Sequence, residues 1–343
     1  MAQITNKSPL TDTLGRVHTS LRISVTDRCN IRCFYCMPNE NVRFKPRDEI
    51  LTFEEITRFV GVVSQMGVRR LRLTGGEPLV RADLPRLVEQ LAALPGIEDL
   101  ALTTNGILLV EQAAGLRRAG LQRLNISLDT LREDVFRQIS RREGLDRVLA
   151  GIAAAQDAGF ERIRLNAVAI HGLTEDEIVP LARFARQRGL ELRFIEYMPL
   201  DAEKQWQAAD VLDGEAIRRT LEAEFGPLTP VGRDHPSQPA SDFAYADGHG
   251  RIGLIQPVSQ PFCEACDRLR LTAEGQVRNC LFSTAEWDAR AILRRRAGSS
   301  PTPQDDDDLA NLVRDCILAK APAHGIGTAE FVRPERAMYQ IGG

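Results

Sequence analysis

Three cysteines fall within eight residues, in Cys29-Asn30-Ile31-Arg32-Cys33-Phe34-Tyr35-Cys36, with the spacing C-x3-C-x2-C. A loop this short can curl three thiolates onto neighbouring irons of one iron–sulfur cube. A cubane has four irons, so one corner keeps no protein ligand, and an open metal position is where chemistry occurs. A zinc knuckle would need a fourth tight ligand, and no further cysteine or histidine lies nearby in the chain. Disulfides do not suit seven cysteines, an odd count, in a chain without a secretory signal. A second set stands in the last third: Cys263-Glu264-Ala265-Cys266, with Cys280 beyond it. It again offers three ligands. A second cluster with an open iron is one reading; a zinc site completed by His249 or His324 is the other. Cys316 sits in an apolar helical pattern and reads as a buried structural thiol.

The elements that must carry these residues alternate. Leu21 to Thr26 reads as a strand running into the first cysteine loop. Thr52-Phe53-Glu54-Glu55 is a capping box that opens a helix to about Met66. A strand at Leu71 to Thr74 ends in Gly75-Gly76-Glu77-Pro78, followed by a helix near Arg81 to Leu94. A strand at Leu100 to Thr103 ends in Thr104-Asn105-Gly106, with a helix from about Leu108 to Ala119. Next come a strand at Arg123 to Asp129 and helical pattern from Leu131 to Ala158, broken at Glu143-Gly144. Strand five spans Ile163 to Val168. A helix near Glu175 to Arg188 leads to strand six, Glu191 to Met198.

Six strand–helix units in a row require parallel strands with crossover helices. Six are fewer than the eight of a closed barrel. The expected fold is α/β: a partial, open-sided (β/α)6 TIM-like barrel, with a doubly wound sheet as the alternative. The cysteine loop, Gly-Gly-Glu-Pro, Thr-Thr-Asn-Gly, Ser-Leu-Asp and Tyr-Met-Pro all fall at carboxyl ends of strands, the edge that carries the active site in parallel α/β folds.

After Pro199 the pattern changes. Asp201 to Asp210 reads as a polar link, Gly214 to Phe225 as a helix, Gly232 to Asp242 as a loop and Arg251 to Ile255 as a strand. Leu269 to Thr272, a turn at Glu274-Gly275 and Val277-Arg278 read as a hairpin that returns Cys280 to Cys266. Gly298 to Asp308, with four consecutive Asp, reads as a solvated loop, and Leu309 to Ala319 as a helix. The division expected is a polar, ill-ordered leader over 1–12, a core over 13–225, and a smaller α+β region over 226–343 that closes the barrel opening.

The chain has 343 residues, 43% of them apolar, and a net charge of −3. That balance argues against a general nucleic-acid or anionic-membrane surface. No apolar run reaches the ~18 residues of a membrane span, and the leader lacks the apolar core of a signal peptide. Thiols kept reduced for metal suit a cytoplasmic setting.

Cys29-x3-Cys33-x2-Cys36 with Tyr35 before its last cysteine, together with Gly75-Gly76-Glu77-Pro78, resembles the radical S-adenosylmethionine (SAM) superfamily. Cys36-Met37-Pro38, Leu73 to Leu79, Thr103-Thr104-Asn105-Gly106, Phe262-Cys263-x2-Cys266, Arg268-Leu269-Arg270-Leu271-Thr272 and the terminal Ile341-Gly342-Gly343 narrow the likeness to its GTP-cyclising family, which opens molybdenum cofactor biosynthesis. The resemblance spans Arg22 to Gly343. It implies two [4Fe-4S] clusters, held by Cys29, Cys33 and Cys36 and by Cys263, Cys266 and Cys280. The first would bind and cleave SAM, with Tyr35, Gly76, Ser127 and Met198 lining its pocket; the second would hold the guanine of GTP. Gly75 and Gly76 are expected to let backbone approach SAM closely.

The chain has no G-x4-G-K-[ST] phosphate loop, and arginine forks can replace one. The resemblance points to Arg22, Arg72, Arg164, Arg268, Leu269 and Arg270, with Thr103 as a polar contact, and gives Arg268 and Arg270 a part in catalysis. It also implies that the Gly-Gly tail reaches into the site. The partners implied are GTP, an external low-potential electron donor and the next enzyme of the pathway, cyclic pyranopterin monophosphate synthase. A homodimer is one assembly it allows. Two positions depart from the family pattern: Arg164 stands where lysine is common, and Asp267 where asparagine is common. The alternatives in function are another two-cluster radical SAM enzyme, such as a peptide modifier, and a non-catalytic iron–sulfur or zinc protein.

Overall fold

In the computed structural model, which describes residues 8–39, 41–200, 205–296 and 300–342, the alternation resolves into six βα units. The strands are β1 (Ser20–Ser24), β2 (Arg70–Thr74), β3 (Asp99–Thr104), β4 (Arg123–Ser127), β5 (Arg162–Ala169) and β6 (Glu191–Glu196). The helices between them are α1 (Phe53–Gln65), α2 (Leu84–Ala92), α3 (Leu109–Arg118), α4 (Glu133–Ser140), α5 (Leu145–Asp157) and α6 (Ile178–Gln187). All six strands pair in sequence order and in parallel. The Thr52 box forms as expected: the hydroxyl accepts from Glu55 N at 3.2 Å and the Glu55 carboxylate accepts from Thr52 N at 2.7 Å. Alternate strand residues such as Leu21, Ile23, Leu71 and Leu73 are fully buried against helical Phe59, Val63, Leu87 and Val88. The complementary strand face is left for polar side chains.

The rest of the chain comprises α7 (Gly214–Phe225), β7 (Leu228–Val231), β8 (Ala240–Tyr245), β9 (Arg251–Ile255), β10 (Arg268–Leu271), β11 (Gln276–Arg278), β12 (Trp287–Asp288), α8 (Ala289–Leu293), α9 (Pro303–Leu318) and α10 (Met338–Ile341). Its strands extend both free edges of the core. The order is β12-β11-β10-β1-β2-β3-β4-β5-β6-β9-β8-β7, a single open sheet. β10 runs parallel to β1, and β9 parallel to β6, so eight parallel strands stand side by side with antiparallel strands beyond them. The partial barrel is thus widened from both sides by one C-terminal region.

Several expectations change. The four-Asp run is not a solvated loop: Pro303–Leu318 is one helix, and Asp305 is buried at its start. Thr302 and Asp305 form a capping box, and Pro303 takes the first helical position, where a missing N–H costs nothing. Carboxylates in a first turn face the positive end of the helix. Here they also meet Arg58 (2.8 Å to Asp306), Arg295 and Arg296. Gly298 of the expected loop lies outside the described residues, as do 201–204 of the expected link. The loop expected to reach Asp242 ends at Ala240, where β8 begins, because pairing with β9 rather than local pattern makes that strand. Nor is the end of the leader loose. Leu10 is buried and its N–H reaches Met66 O, while Asp12 pairs with Arg16. Arg16 donates to Cys263 O at 2.9 Å and to Ala321 O at 3.0 Å, tying this turn to the second cysteine loop. Residues 1–7 lie outside the description. No helix of the described residues is long and apolar enough to cross a membrane.

Candidate active site

Strand pairing places the arginines. In the register, Arg270, Arg22 and Arg72 stand level on the adjacent strands β10, β1 and β2. Two residues earlier, Arg268, Ser20 and Arg70 form a second level row on the same face. Leu269, Leu21 and Leu71 between them point the other way into the helix-side core. The side chain of Leu269 is therefore turned from the arginine face, and only its main chain is available to a ligand there.

Burial lowers the proton affinity of Arg22, Arg72 and Arg270, and neighbouring cations lower it further. Arg22 is brought down to about 9 by burial and by Arg268. Arg72 is pushed well down by burial and then by Arg22, Arg123, Arg164 and Arg193, and Arg270 by burial and then by Arg22 and Arg268. A concentration of buried cations of this kind is a receptor for a polyanion. Thr103 is its polar neighbour, accepting from Arg72 at 3.4 Å.

Arg164 belongs to the same field, but its Nε donates to Glu191. Asp267 is turned to Arg70 Nη2 at 2.6 Å and Thr19 Oγ1 at 2.8 Å, so its charge is matched within the fold. Arg70, Arg123 and Arg193 were not singled out from the sequence. Their positions on strands among apolar alternates carried the same signal as Arg22 and Arg72.

The two thiol sets lie at opposite ends of these strands. Cys29, Cys33 and Cys36 follow the carboxyl end of β1. Cys266 precedes β10, which is parallel to β1, and Cys280 follows β11, which returns antiparallel. The hairpin returns Cys280 to the end of β10 that Cys266 precedes, with Arg270 opposite Arg278.

Their electrostatic surroundings differ. Burial raises the Cys29 thiol to about 11, with Glu77 adding to it; burial and then Asp129 raise Cys33. Burial also acts upward on Cys266, but Arg268 and Lys320 overcome it and bring that thiol down to about 6. Arg268 Nε lies 3.4 Å and Lys320 Nζ 3.5 Å from its sulfur. His324 is not poised as a ligand through Nδ1, which accepts from Ile326 N at 3.1 Å, and His249 is exposed on the turn after β8. Cys316 is buried in α9, as expected.

Around the first set, Tyr35 donates to Asp129 Oδ2 at 2.7 Å, and Asp129 Oδ1 accepts from Val168 N at 2.8 Å. Burial lifts Asp129 to about 6 and Glu77 to about 7. Glu77 accepts from Thr104 Oγ1, Asn105 N and Leu79 N, and so fixes the Gly-Gly-Glu-Pro turn to the neighbouring rim. Asn105 in turn donates to Asn30 in the cysteine loop at 2.7 Å. Cys33, Tyr35, Asn105, Ser127 and Asp129 line one small hollow. Met198 lies elsewhere, in an apolar cluster with Cys280, Leu200 and Ile341.

The glycine pair makes a close contact within the fold. A Cβ on Gly76 would overlap the Arg28 carbonyl oxygen and lie 2.7 Å from Asp27 O; one on Gly75 would overlap Thr26 O. Gly76 N donates to Thr26 O and Glu77 N to Arg28 O, both at 2.7 Å. The glycines thus admit the entry to the cysteine loop. Gly76→Ala should cost at least about 3 kcal/mol of stability, the upper range for overpacking, since backbone on both sides must move. Gly115→Ala, in α3 with only an ordinary 3.8 Å contact at Pro85, should stabilise by up to about 1 kcal/mol. Urea denaturation of the two variants checks this.

Whether the thiols fit a metal group follows from the donor chemistry. Each set is all-cysteine, three within one short loop in the first and two plus one across the β10–β11 hairpin in the second, donors that suit iron–sulfur ligation. Among the described residues no three Cys, His, Asp or Glu converge on one point as ligands of a single ion do. A polynuclear cluster does not need them to.

Comparison with known proteins agrees with this geometry. The radical SAM superfamily model matches residues 23–185, and the Molybdenum Cofactor Synthesis C model matches 190–326. A GTP 3′,8-cyclase of Rhodopirellula baltica is 53% identical over 343 aligned residues, covering 99% of this chain and 94% of that one. One from Streptomyces coelicolor is 44% identical, covering 97% and 96%. Among solved structures, Streptococcus suis SuiB superposes with a TM-score of 0.60 at 14% identity, over 91% of this chain and 69% of that chain. That last likeness concerns the fold, and it matches the partial barrel.

Proposed function

The chain belongs to the GTP 3′,8-cyclase family of the radical SAM superfamily, and from this we propose that it converts GTP to (8S)-3′,8-cyclo-7,8-dihydroguanosine 5′-triphosphate, the first step of molybdenum cofactor biosynthesis. Cys29, Cys33 and Cys36 would hold a [4Fe-4S] cluster, the group that would bind SAM and, when reduced, cleave it. Supplied with an electron by an external low-potential donor, the group would provide the radical chemistry that removes the C3′ hydrogen of GTP and joins C3′ to C8, one further electron and a proton completing the dihydroguanine ring.

The chain's own residues orient and enclose. Tyr35, Gly76 and Ser127 border SAM, with Met198 on the side of the second set. Asp129 and Glu77 keep the cysteine loop and rim in one arrangement. Arg22, Arg72, Arg268 and Arg270 take the triphosphate, with Thr103 beside them; Arg164 joins them once it leaves Glu191. Cys263, Cys266 and Cys280 would hold a second [4Fe-4S] cluster, which would serve to bind the guanine. The product passes to cyclic pyranopterin monophosphate synthase.

The observation that carries this reading is the level row Arg270–Arg22–Arg72. It stands between two three-thiol sets at opposite strand ends, a layout in which a triphosphate is held while the two ends of the reaction are served separately. A peptide modifier has no use for such a row. The test is anaerobic incubation of the reconstituted, reduced enzyme with SAM and GTP, or with SAM and ATP. Deoxyadenosine and a cyclised nucleotide should appear with GTP, and neither with ATP. Deoxyadenosine formed with GTP left unchanged would reject the reading.

A further inference from the structure

The last seven residues, Ala337 to Gly343, have no charged side chain, yet the described part of this strap reaches both thiol sets and Arg270. Ala337 and Tyr339 are buried with Met37 beside Cys29 and Cys36. The Tyr339 ring meets Phe44 edge-on at 6.4 Å, and its N–H donates to the Cys36 thiol. Ile341 is fully buried in the cluster that includes Cys280. Gly342 O accepts from Arg270, and a side chain there would lie 2.7 Å from Thr74 Oγ1. Gly343 lies outside the described residues. Ordering a chain end costs about 1–2 kcal/mol per residue in backbone entropy, and a chain end is normally frayed. Something must fix the root of this strap.

That root is Arg336. One guanidinium nitrogen donates to Glu274, in the turn between β10 and β11, and the other to Glu286 at 2.6 Å, just before β12. The other oxygen of Glu286 is taken by Arg278. The carboxylates are little exposed, 6% for Glu274 and 19% for Glu286. Removing the guanidinium would leave buried charge without its partner, the expensive way to break such a pair. The turn and β11 belong to the hairpin that bears Arg268, Arg270 and Cys280. The latch therefore fixes the strap to the element whose arginine its far end must meet.

We propose that Arg336, through Glu274 and Glu286, is the positioning residue that latches the carboxy-terminal strap across both thiol sets and so sets Gly342 on Arg270. It acts through the strap and touches no reactant. Its bearing on turnover rests on the cyclase reading above; its bearing on the strap does not.

The test uses the full chain with Arg336→Gln and Arg336→Lys. Hydrogen exchange of the C-terminal peptide should quicken at least tenfold in Arg336→Gln, with partial recovery in Arg336→Lys, while exchange in β1 to β6 is unchanged. Deoxyadenosine released per cyclised nucleotide should rise several-fold, because the radical is made without its target held in place, and iron and sulfide content should stay at the wild-type level. Glu274→Gln should reproduce the faster strap exchange. Wild-type exchange at the strap in both Arg336→Gln and Glu274→Gln would overturn the latch, whatever happens to turnover. Loose strap but unchanged coupling would overturn its role in positioning. A wild-type enzyme that makes no cyclised nucleotide would reject the cyclase reading, and strap exchange would still judge the latch.

Discussion

Cys29→Ala is expected to abolish deoxyadenosine formation from SAM and to lower iron from about eight to about four per chain, the count of two cubanes reduced to one. Cys263→Ala should lose the same amount of iron yet keep SAM cleavage, failing instead in conversion of GTP. Cys316→Ala, in the apolar core of α9, should keep all the iron. The asymmetry is built into the surroundings of the two sets. Around the first, burial and then Glu77 and Asp129 raise the thiols Cys29 and Cys33, with Arg32 opposing at Cys29. Added negative charge is disfavoured there, so a cluster held at that place would have the lower potential of the two. The second has Arg268 and Lys320 against Cys266, which stabilise a more negative cluster and raise its potential. Only the first is suited to forcing an electron into a sulfonium. Iron and sulfide analysis with deoxyadenosine quantification checks all three variants. Normal SAM cleavage in Cys29→Ala would show that the cysteines have been assigned to the wrong ends.

Much of this arrangement was legible because it is local. Alternation of apolar residues fixed the six strands to within two or three residues, and the special turns fell on the strand ends where ligands bind. Helix α7 and strand β9 begin and end where pattern predicts. What could not be read depends on contacts between distant residues. Nothing near Arg268 says that β10 will lie beside β1, where it pairs with Ser20, 248 positions earlier in the chain, so the level row of arginines emerges only with the fold. Gly75 and Gly76 signalled close approach, but not that the approaching group is Thr26 to Arg28. Leu269 was chosen with its neighbours, and strand alternation turns it away from them. The start of α9 was readable after all. Thr302-Pro303 followed by Asp305 is a helix start, and the charge of the four Asp residues masked it.

The arginine row also predicts a conflict between stability and binding. Neighbouring strands lie about 4.8 Å apart, so Arg270, Arg22 and Arg72 are held side by side in surroundings that already depress their proton affinity. Without an anion they repel one another, and the fold carries that cost for the sake of a ligand. Arg72→Met keeps the volume of the side chain and removes its charge. Its only hydrogen bond to protein among those described is the long one to Thr103, so little is lost on folding. The ligand-free variant should be as stable as the wild type or more so, by about 1 kcal/mol, as replacements of unfavourable buried charge can be. GTP binding should weaken by about 10²–10⁴-fold, from two hydrogen bonds to a charged group at about 1.5–3 kcal/mol each. The stabilisation by GTP should vanish with it: at a hundred times the wild-type Kd that amounts to about 2.7 kcal/mol. Thermal unfolding with and without GTP measures both effects in one experiment. Loss of more than 2 kcal/mol in the ligand-free protein together with unchanged GTP stabilisation would make Arg72 a structural residue, and the triphosphate would have to be sought elsewhere.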